Sequence, residues 1–576
     1  MSTIKSLKKV LFALLFFLNT TTWSHGLDET YITEWKKFYP SKSLSRGIHA
    51  SIFQFEDFSK NNIEKWLSFN EQVLLKLAKT DADIDAIDAR LLRVQVLSEI
   101  DQWKKLSLHK SSLLMYTRLI ARAIDPILKA DYLIAPEKHD LICQRLHQVS
   151  ELSHAAKNNL IKVNEDDLSR GIESLNATLA FYKNDLSQSL KAEFSTTSCQ
   201  DFNLKLENTI KSLDGLHSYA KGTLSENVLK PKKIIGYDEY ARRLKLYTDS
   251  ELSPETLAQM TLEEIEIVRA LMGDVSKTYL KATYPGEPIP DNYNELTAKA
   301  LADMEKDAPL NAEDYLQFWN QLSEAAVQFI KKNEIATLPK NNTLRIITAP
   351  ESAGPAARIG WVASAPPFDP NPITTLNLPS IPETLPKQEQ IDFWASFNKP
   401  FNRMIVIHEL FPGHYMQLKI SRETAHPVRL LFPYGTYTEG WATFTEKVLL
   451  DAGWEKENHL TYLAHLRKRL ENANRAYTSM QVHCNGWSQD QVMKFSSETS
   501  LLAPQFAKSL WGRIMSSPMQ LTSYFLGGSQ FTKLLHAEKK RLGSQFNLKF
   551  FMDTIMKAGP IPIDEFYKIF ALTTPS

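Results

Sequence analysis

The sequence predicts a mainly α-helical protein with one small β-sheet set beside a later helix. Three observations lead there. Glycine is only 20 of 576 residues, about half the usual share, which suits a chain dominated by helices. Apolar residues recur at helical spacing, as in Leu206, Ile210 and Leu213. Of the 28 prolines, 11 fall between Pro339 and Pro400, where long helices are improbable and short β-rich runs stand instead.

The elements follow in chain order. In residues 1–24, Lys5, Lys8 and Lys9 precede the apolar run Val10 to Leu18, and Thr22 and Ser24 supply small residues. This is the layout of a cleavable secretory signal peptide, too short to span a bilayer. Cleavage after Ser24 removes three lysines and no acid, so the net charge goes from +1 to −2. No later segment approaches 18 uncharged apolar residues. The mature chain is therefore expected to be exported, to the periplasm or the medium, without stable membrane insertion.

Residues 25–338 read as a helical region. Ser253-Pro254 has the form of an N-cap followed by proline at N1. Thr261 and Glu264 have the form of a second cap, a T-x-x-E box ahead of Ile265, Val268, Leu271 and Met272. Residues 339–400 hold three short runs expected as strands: Leu344–Thr348, Ile359–Ser364 and Thr374–Leu378. From residue 401 to 576 the helical pattern returns, with interruptions expected at Ser517-Pro518, Gly527-Gly528 and Gly559-Pro560.

Composition excludes several functions. Lys+Arg (67) and Asp+Glu (66) balance, so no basic excess exists to neutralise phosphates and nucleic acid is not an expected partner. Cys143, Cys199 and Cys484 allow at most one disulfide and leave one thiol over. No CxxC pair is present, which removes a thiolate zinc site.

The chemistry concentrates in Met404–Leu418, MIVIHELFPGHYMQL. His408-Glu409 resembles the start of H-E-x-x-H, in which two histidines one turn apart share a metal and the glutamate is a base. Here the second histidine, His414, comes two residues late. Six residues rotate a regular helix by about 600°, which leaves the two rings about 120° apart. Pro412 removes a helical hydrogen bond and Gly413 admits unusual dihedrals, so a break between them is the means of bringing His414 back. A third ligand must come from another element. Glu439 and Glu446, two helical turns apart on one face among Tyr437, Trp441, Ala442 and Phe444, are the candidates. Glu439 is the preferred ligand, with Glu446 as the alternative or as support behind the metal.

HELFPGHYMQ followed by TEGWATFTE resembles the family known as domain of unknown function 885, and with it the zincin-like metallopeptidases that use a glutamate as third ligand. The match runs through His408, Glu409, Pro412, Gly413, His414, Gln417, Glu439, Gly440, Trp441, Ala442 and Glu446, with Phe444 where a tyrosine is usual. Arg475, His483, Gly486 and Trp487 continue it, although Ser479 stands where an aspartate is expected. Pro518, Gln520, Tyr524 and Gly527 match a later motif, and YPSKSLSRGIHA near residue 40 begins a weaker likeness through the N-terminal half. The resemblance implies a multi-helix zincin-like fold and a zinc peptidase.

Hydrolysis then assigns the remaining roles. One Zn²⁺ on two imidazoles and a carboxylate activates water, and Glu409 is the general base. Tyr524 and His483 are candidate donors to the oxyanion. Arg475 and Arg513 are candidates to grip a peptide carboxylate, and Asn377 lies in a strand expected to pair with an extended peptide. The sequence thus points to a peptide substrate. A zinc amidase acting on a non-peptide or cell-wall amide, or a zincin-like binding protein without catalysis, are the competing readings. Retention of Glu409 speaks against the last. Oligomeric state is left open.

Overall fold

The computed structural model describes residues 26–79, 83–186, 188, 201–229, 234–341, 343–502 and 504–573. The expected signal peptide and Cys199 lie outside the described residues. Helices dominate, and the strands expected in the proline-rich segment form one three-stranded sheet: β1 (Leu344–Thr348), β2 (Trp361–Ala363) and β3 (Thr374–Leu378). β3 is central, parallel to β1 and antiparallel to β2, with Leu344 opposite Thr374 and Trp361 opposite Asn377. β2 is shorter than expected because Gly360 turns at φ +71° against the β3 backbone, where a Cβ would sit 2.7 Å from the Asn377 carbonyl oxygen.

The local capping chemistry decides the helix boundaries. Ser253 caps the helix Pro254–Thr283 by accepting from the Thr256 amide, as expected. The second expected cap is corrected. Thr261 lies buried inside that same helix, and its hydroxyl donates to the Leu257 carbonyl one turn back. The tertiary environment makes one 30-residue helix of what the pattern reads as a fresh start. Among the cysteines, Cys143 is disulfide-bonded and Cys484 is free.

One apolar cluster runs from Leu27 to Phe570 and so joins the N-terminal helices to the C-terminal ones. A second packs Leu257, Val268 and Met272 against Leu466, Leu470 and Ala473 of the long helix His459–Asn485. No helix among the described residues is long and apolar enough to cross a membrane.

The expected interruption at Gly527-Gly528 is also corrected. Both glycines lie inside the helix Gln520–Leu542. They are there for closeness: a Cβ on Gly527 would fall 2.1 Å from the Thr436 carbonyl oxygen, and one on Gly440 would fall 2.4 Å from the Gly527 Cα. Two helices meet backbone to backbone at this point, which no larger residue permits. The contact sets the helix Tyr437–Asp451, which carries Glu439, against the helix that carries Tyr524.

Candidate metal centre and active site

The helix Lys399–Glu409 is capped by Asn398 and buries Met404 through His408. It stops where the sequence requires. Leu410 caps its end, the Phe411-Pro412 peptide is cis, and a new helix begins at His414. Gly413 fills the corner: a Cβ there would lie 1.9 Å from the His408 carbonyl oxygen. The Gly413 amide donates to Ile407 and the Met416 amide to Leu410, so the break keeps its hydrogen bonds. Trp441 secures it from the neighbouring helix, its indole donating to the Pro412 carbonyl at 2.9 Å.

The break brings the two imidazoles together, edge to face with ring centres 4.8 Å apart. Glu439 meets both: its Oε2 is 3.7 Å from His408 Nε2 and 3.4 Å from His414 Nε2. One ligand atom from each of His408, His414 and Glu439 falls within 4.8 Å of the others. Glu446 stands behind. His408 Nδ1 donates to its Oε1 at 2.8 Å, and His465 Nδ1 donates to its Oε2 at 2.9 Å. The bond to Glu446 fixes the ring so that Nε2 is the atom turned to the cluster. Of the two candidate carboxylates, Glu439 is therefore the one that faces the histidines.

Charge follows geometry. Burial disfavours a charged His408, yet hydrogen bonding to Glu439 and Glu446 outweighs it and lifts the imidazole to about 10. Burial alone raises Glu446, and hydrogen bonds from the His408 and His465 imidazoles pull it down to about 2. Glu439 is likewise held well below the usual carboxylate range, against its burial, by His408 and His414. The buried set is a matched group of two carboxylates and a proton-rich imidazole, an arrangement that a divalent cation can replace by taking the proton's place. Two imidazoles and a carboxylate are the donors of a catalytic zinc site, so the residues present fit that metal. Glu409 is half-buried, beside His408 at the helix end, and no hydrogen bond or ion pair among the described residues engages its carboxylate.

The other expected site residues separate into two groups. Tyr524, Arg513 and Arg475 do gather at the cluster. The Tyr524 hydroxyl accepts from Gln520 Nε2 at 3.1 Å and from Arg513 at 3.4 Å, which leaves its own proton to donate. Gln520 also donates to Glu439 Oε1 at 3.4 Å. Burial, then the charge of Glu439, raise the Tyr524 phenol, so it stays protonated. Arg475 is ion-paired with Glu471 and sits 5.1 Å from the Tyr524 ring centre. Arg475 is thus committed to Glu471, whereas Arg513 gives Nη2 to Gln520 and Tyr524.

His483 and Asn377 are corrected. His483 Nε2 donates to the Ile514 carbonyl at 3.0 Å and Nδ1 accepts from the Ile235 amide at 3.4 Å, so neither nitrogen is left for an oxyanion. Asn377 turns its amide onto Trp361 and Thr375 of its own sheet, and β3 is paired on both sides, so it has no edge to offer a peptide. Ser479, in the place of the expected aspartate, donates to the Pro518 carbonyl at 3.1 Å and holds the turn that precedes Tyr524. Sequence reasoning missed His465, a lone histidine with no informative spacing. It also gave Gln520 and Trp441 no task, though both lie in quoted motifs.

Fold and site together define a helical protein with a partly buried His–His–Glu cluster and an adjacent glutamate that has no partner among the described residues. The chain belongs to the family described as bacterial proteins of unknown function, DUF885, whose model matches residues 40–568. No curated protein matches it in sequence. Its fold is similar to a solved "putative lipoprotein of unknown function" from Shewanella oneidensis. That likeness has a TM-score of 0.82 at 18% identity and covers 95% of this chain and 99% of the other. A "putative lipoprotein" from Colwellia psychrerythraea is similar at a TM-score of 0.67 and 17% identity, over 93% and 97% of the two chains.

Proposed function

We propose that the protein is an exported, zinc-dependent hydrolase of the zincin-like type that cleaves peptide bonds. The observation that carries the proposal is the convergence of His408, His414 and Glu439 with Glu409 left unpaired beside them. His408 and His414 through Nε2, and Glu439 through Oε2, would hold the ion. Zinc held this way supplies Lewis acidity and a lowered pKa for bound water.

The chain's own residues account for the rest. Glu409 takes the proton of the attacking water and returns it to the leaving amine nitrogen. Tyr524 donates its hydroxyl proton's hydrogen bond to the carbonyl oxygen as negative charge grows there. Arg513 and Gln520 hold the phenol in place, and Glu446 keeps His408 in the tautomer that presents Nε2. A purely binding role leaves the unpaired Glu409 unexplained. Export is supported by the charged and apolar N-terminal pattern, and the description of the two structural relatives as lipoproteins agrees with it.

The test is a mixed peptide library incubated with the purified mature protein. Cleavage at defined bonds, abolished by a chelator and restored by zinc, is expected. Failure to cut any peptide while releasing amines from cell-wall amides would move the assignment to the amidase reading.

A further inference from the structure

A cavity of about 340 Å³ is bounded by Arg46, Pro366, Thr374, Leu418, Arg422 and Thr438, the last three on the helices that also carry His414 and Glu439. Its position relative to the centre follows from the chain. Leu418 is one helical turn beyond His414 on the same helix, and Thr438 immediately precedes Glu439. A helical turn advances about 5.4 Å and a peptide residue spans about 3.3–3.6 Å. A group seated against Leu418 and Thr438 is then about two residues' length from the helix positions of His414 and Glu439.

The cavity's charge is unusual. Lys419, at its edge, is paired with Glu423 at 3.2 Å. Arg46 and Arg422 form no ion pair among the described residues, although the Asp369 and Glu423 carboxylates act on Arg422 from farther off. The Arg422 guanidinium donates through Nη2 to the Asp369 backbone carbonyl, while its Nη1 is buried with no hydrogen-bond partner. Arg46 is half-buried with no side-chain hydrogen bond among the described residues. Withdrawing a guanidinium from water without an anion is costly, and a planar fork suits a carboxylate. Proline rings, Leu418 and threonine methyls line much of the rest of the wall, together with Ser45, Ser364, Ser421 and Lys419.

We propose that this cavity binds a carboxylate of the substrate through Arg422 and Arg46, so that the protein selects anionic peptides. The inference rests on the hydrolytic reading for the word substrate. The carboxylate has two sources, the C-terminus of a peptide or an acidic side chain near the cut bond.

The experiment is calorimetric titration of the zinc-loaded, full-length Glu409→Gln protein. Four probes are used: an alanine pentapeptide as free acid, the same peptide as C-terminal amide, and two amidated peptides with a central Glu or a central Gln. One anionic probe should bind at least about tenfold more tightly than its neutral counterpart, and the arm that does so names the source. Introducing Arg422→Gln should reduce that preference to about threefold or less, and Arg46→Gln should reduce it in part. Should Arg422→Gln fail to melt cooperatively, Arg46→Gln decides the matter alone. Equal binding in both arms, or a preference that survives the substitutions, overturns the proposal. Wild-type turnover separates the two levels. Chelator-sensitive cutting of neutral peptides without an anion preference removes only the cavity assignment. A preference lost on substitution, with no cutting of any peptide, removes the hydrolytic reading and keeps the anion site.

Discussion

Two buried glutamates, one in each half of the molecule, show what separates support from chemistry. Glu99 in the N-terminal region accepts from the Tyr39 hydroxyl, the Trp66 and Trp103 indoles and the Gln95 amide. Every donor is neutral, and the group ends there: it ties helices together. Glu446 in the C-terminal region accepts from two imidazoles instead. An imidazole has a second nitrogen, and the one on His408 is passed forward to meet His414 and Glu439. Burial of an acid is common to both regions. The two-ended donor makes one of them the base of the proposed metal site.

The largest effect that separates the regions is expected at Glu409. Glu409→Gln should retain zinc and fold while turnover falls by roughly 10²–10⁴-fold, the usual cost of a lost general base. Steady-state kinetics on zinc-loaded protein reads it, and near-normal turnover would remove Glu409 from the mechanism. Tyr524→Phe comes next. It deletes one oxygen and no packing, so kcat should drop by roughly 10²–10³ with KM little changed. A lowered Tm with intact kcat would make the tyrosine structural.

The two glutamates themselves sharpen the comparison. Glu446→Gln should weaken zinc binding by roughly 10–100-fold, because it loosens His408. Glu99→Gln should leave zinc affinity unchanged and lower only the melting temperature. Competition with a chromophoric chelator measures both. Equal losses of affinity would mean that Glu446 has no special relation to the metal.

The smallest effect concerns Glu471. Its burial raises the carboxyl, but Arg475, Lys468, Arg467 and Arg513 outweigh this and pull it down to about 2. A depressed carboxylate stabilises the fold above its ordinary value of 4.5 and loses that contribution as pH falls through about 2. Glu471→Gln should cost about 1.5–3 kcal/mol near neutrality and flatten the acid arm of the stability profile. Thermal melts between pH 2 and 7 show it. An acid arm identical to wild type would mean that the ion pair with Arg475 contributes nothing.

How much of this was legible beforehand follows the range of the interaction. The helix break at Pro412-Gly413 and the strands β1 and β3 rest on local dihedral chemistry, and they stand in the structure where the sequence puts them. The neighbours of Glu439 and Glu446 mark both as lying off the solvated face, whereas which of them faces the histidines is settled by the packing of two helices. Thr261 and Gly527-Gly528 were misread because both are settled by tertiary packing: a buried helix interior overrides a capping pattern, and a glycine pair serves a helix crossing as readily as a turn. His483 and Asn377 were misread because their partners, Ile514, Ile235 and Trp361, are not near in sequence or are set by strand order. His465 gave no signal at all, since its only relevance is a bond to Glu446 from another helix.

The central claim is that His408, His414 and Glu439 bind one zinc ion which Glu409 serves without touching. Elemental analysis of purified full-length protein tests it, comparing wild type with Glu409→Gln, His408→Ala, His414→Ala and Glu439→Ala after equal dialysis. The account predicts about one zinc per chain in wild type and in Glu409→Gln, near none in the three ligand variants, and falling occupancy on acidification, since the imidazoles must be neutral to bind. Full zinc occupancy in His414→Ala, or a wild-type protein that takes up no zinc, would contradict it.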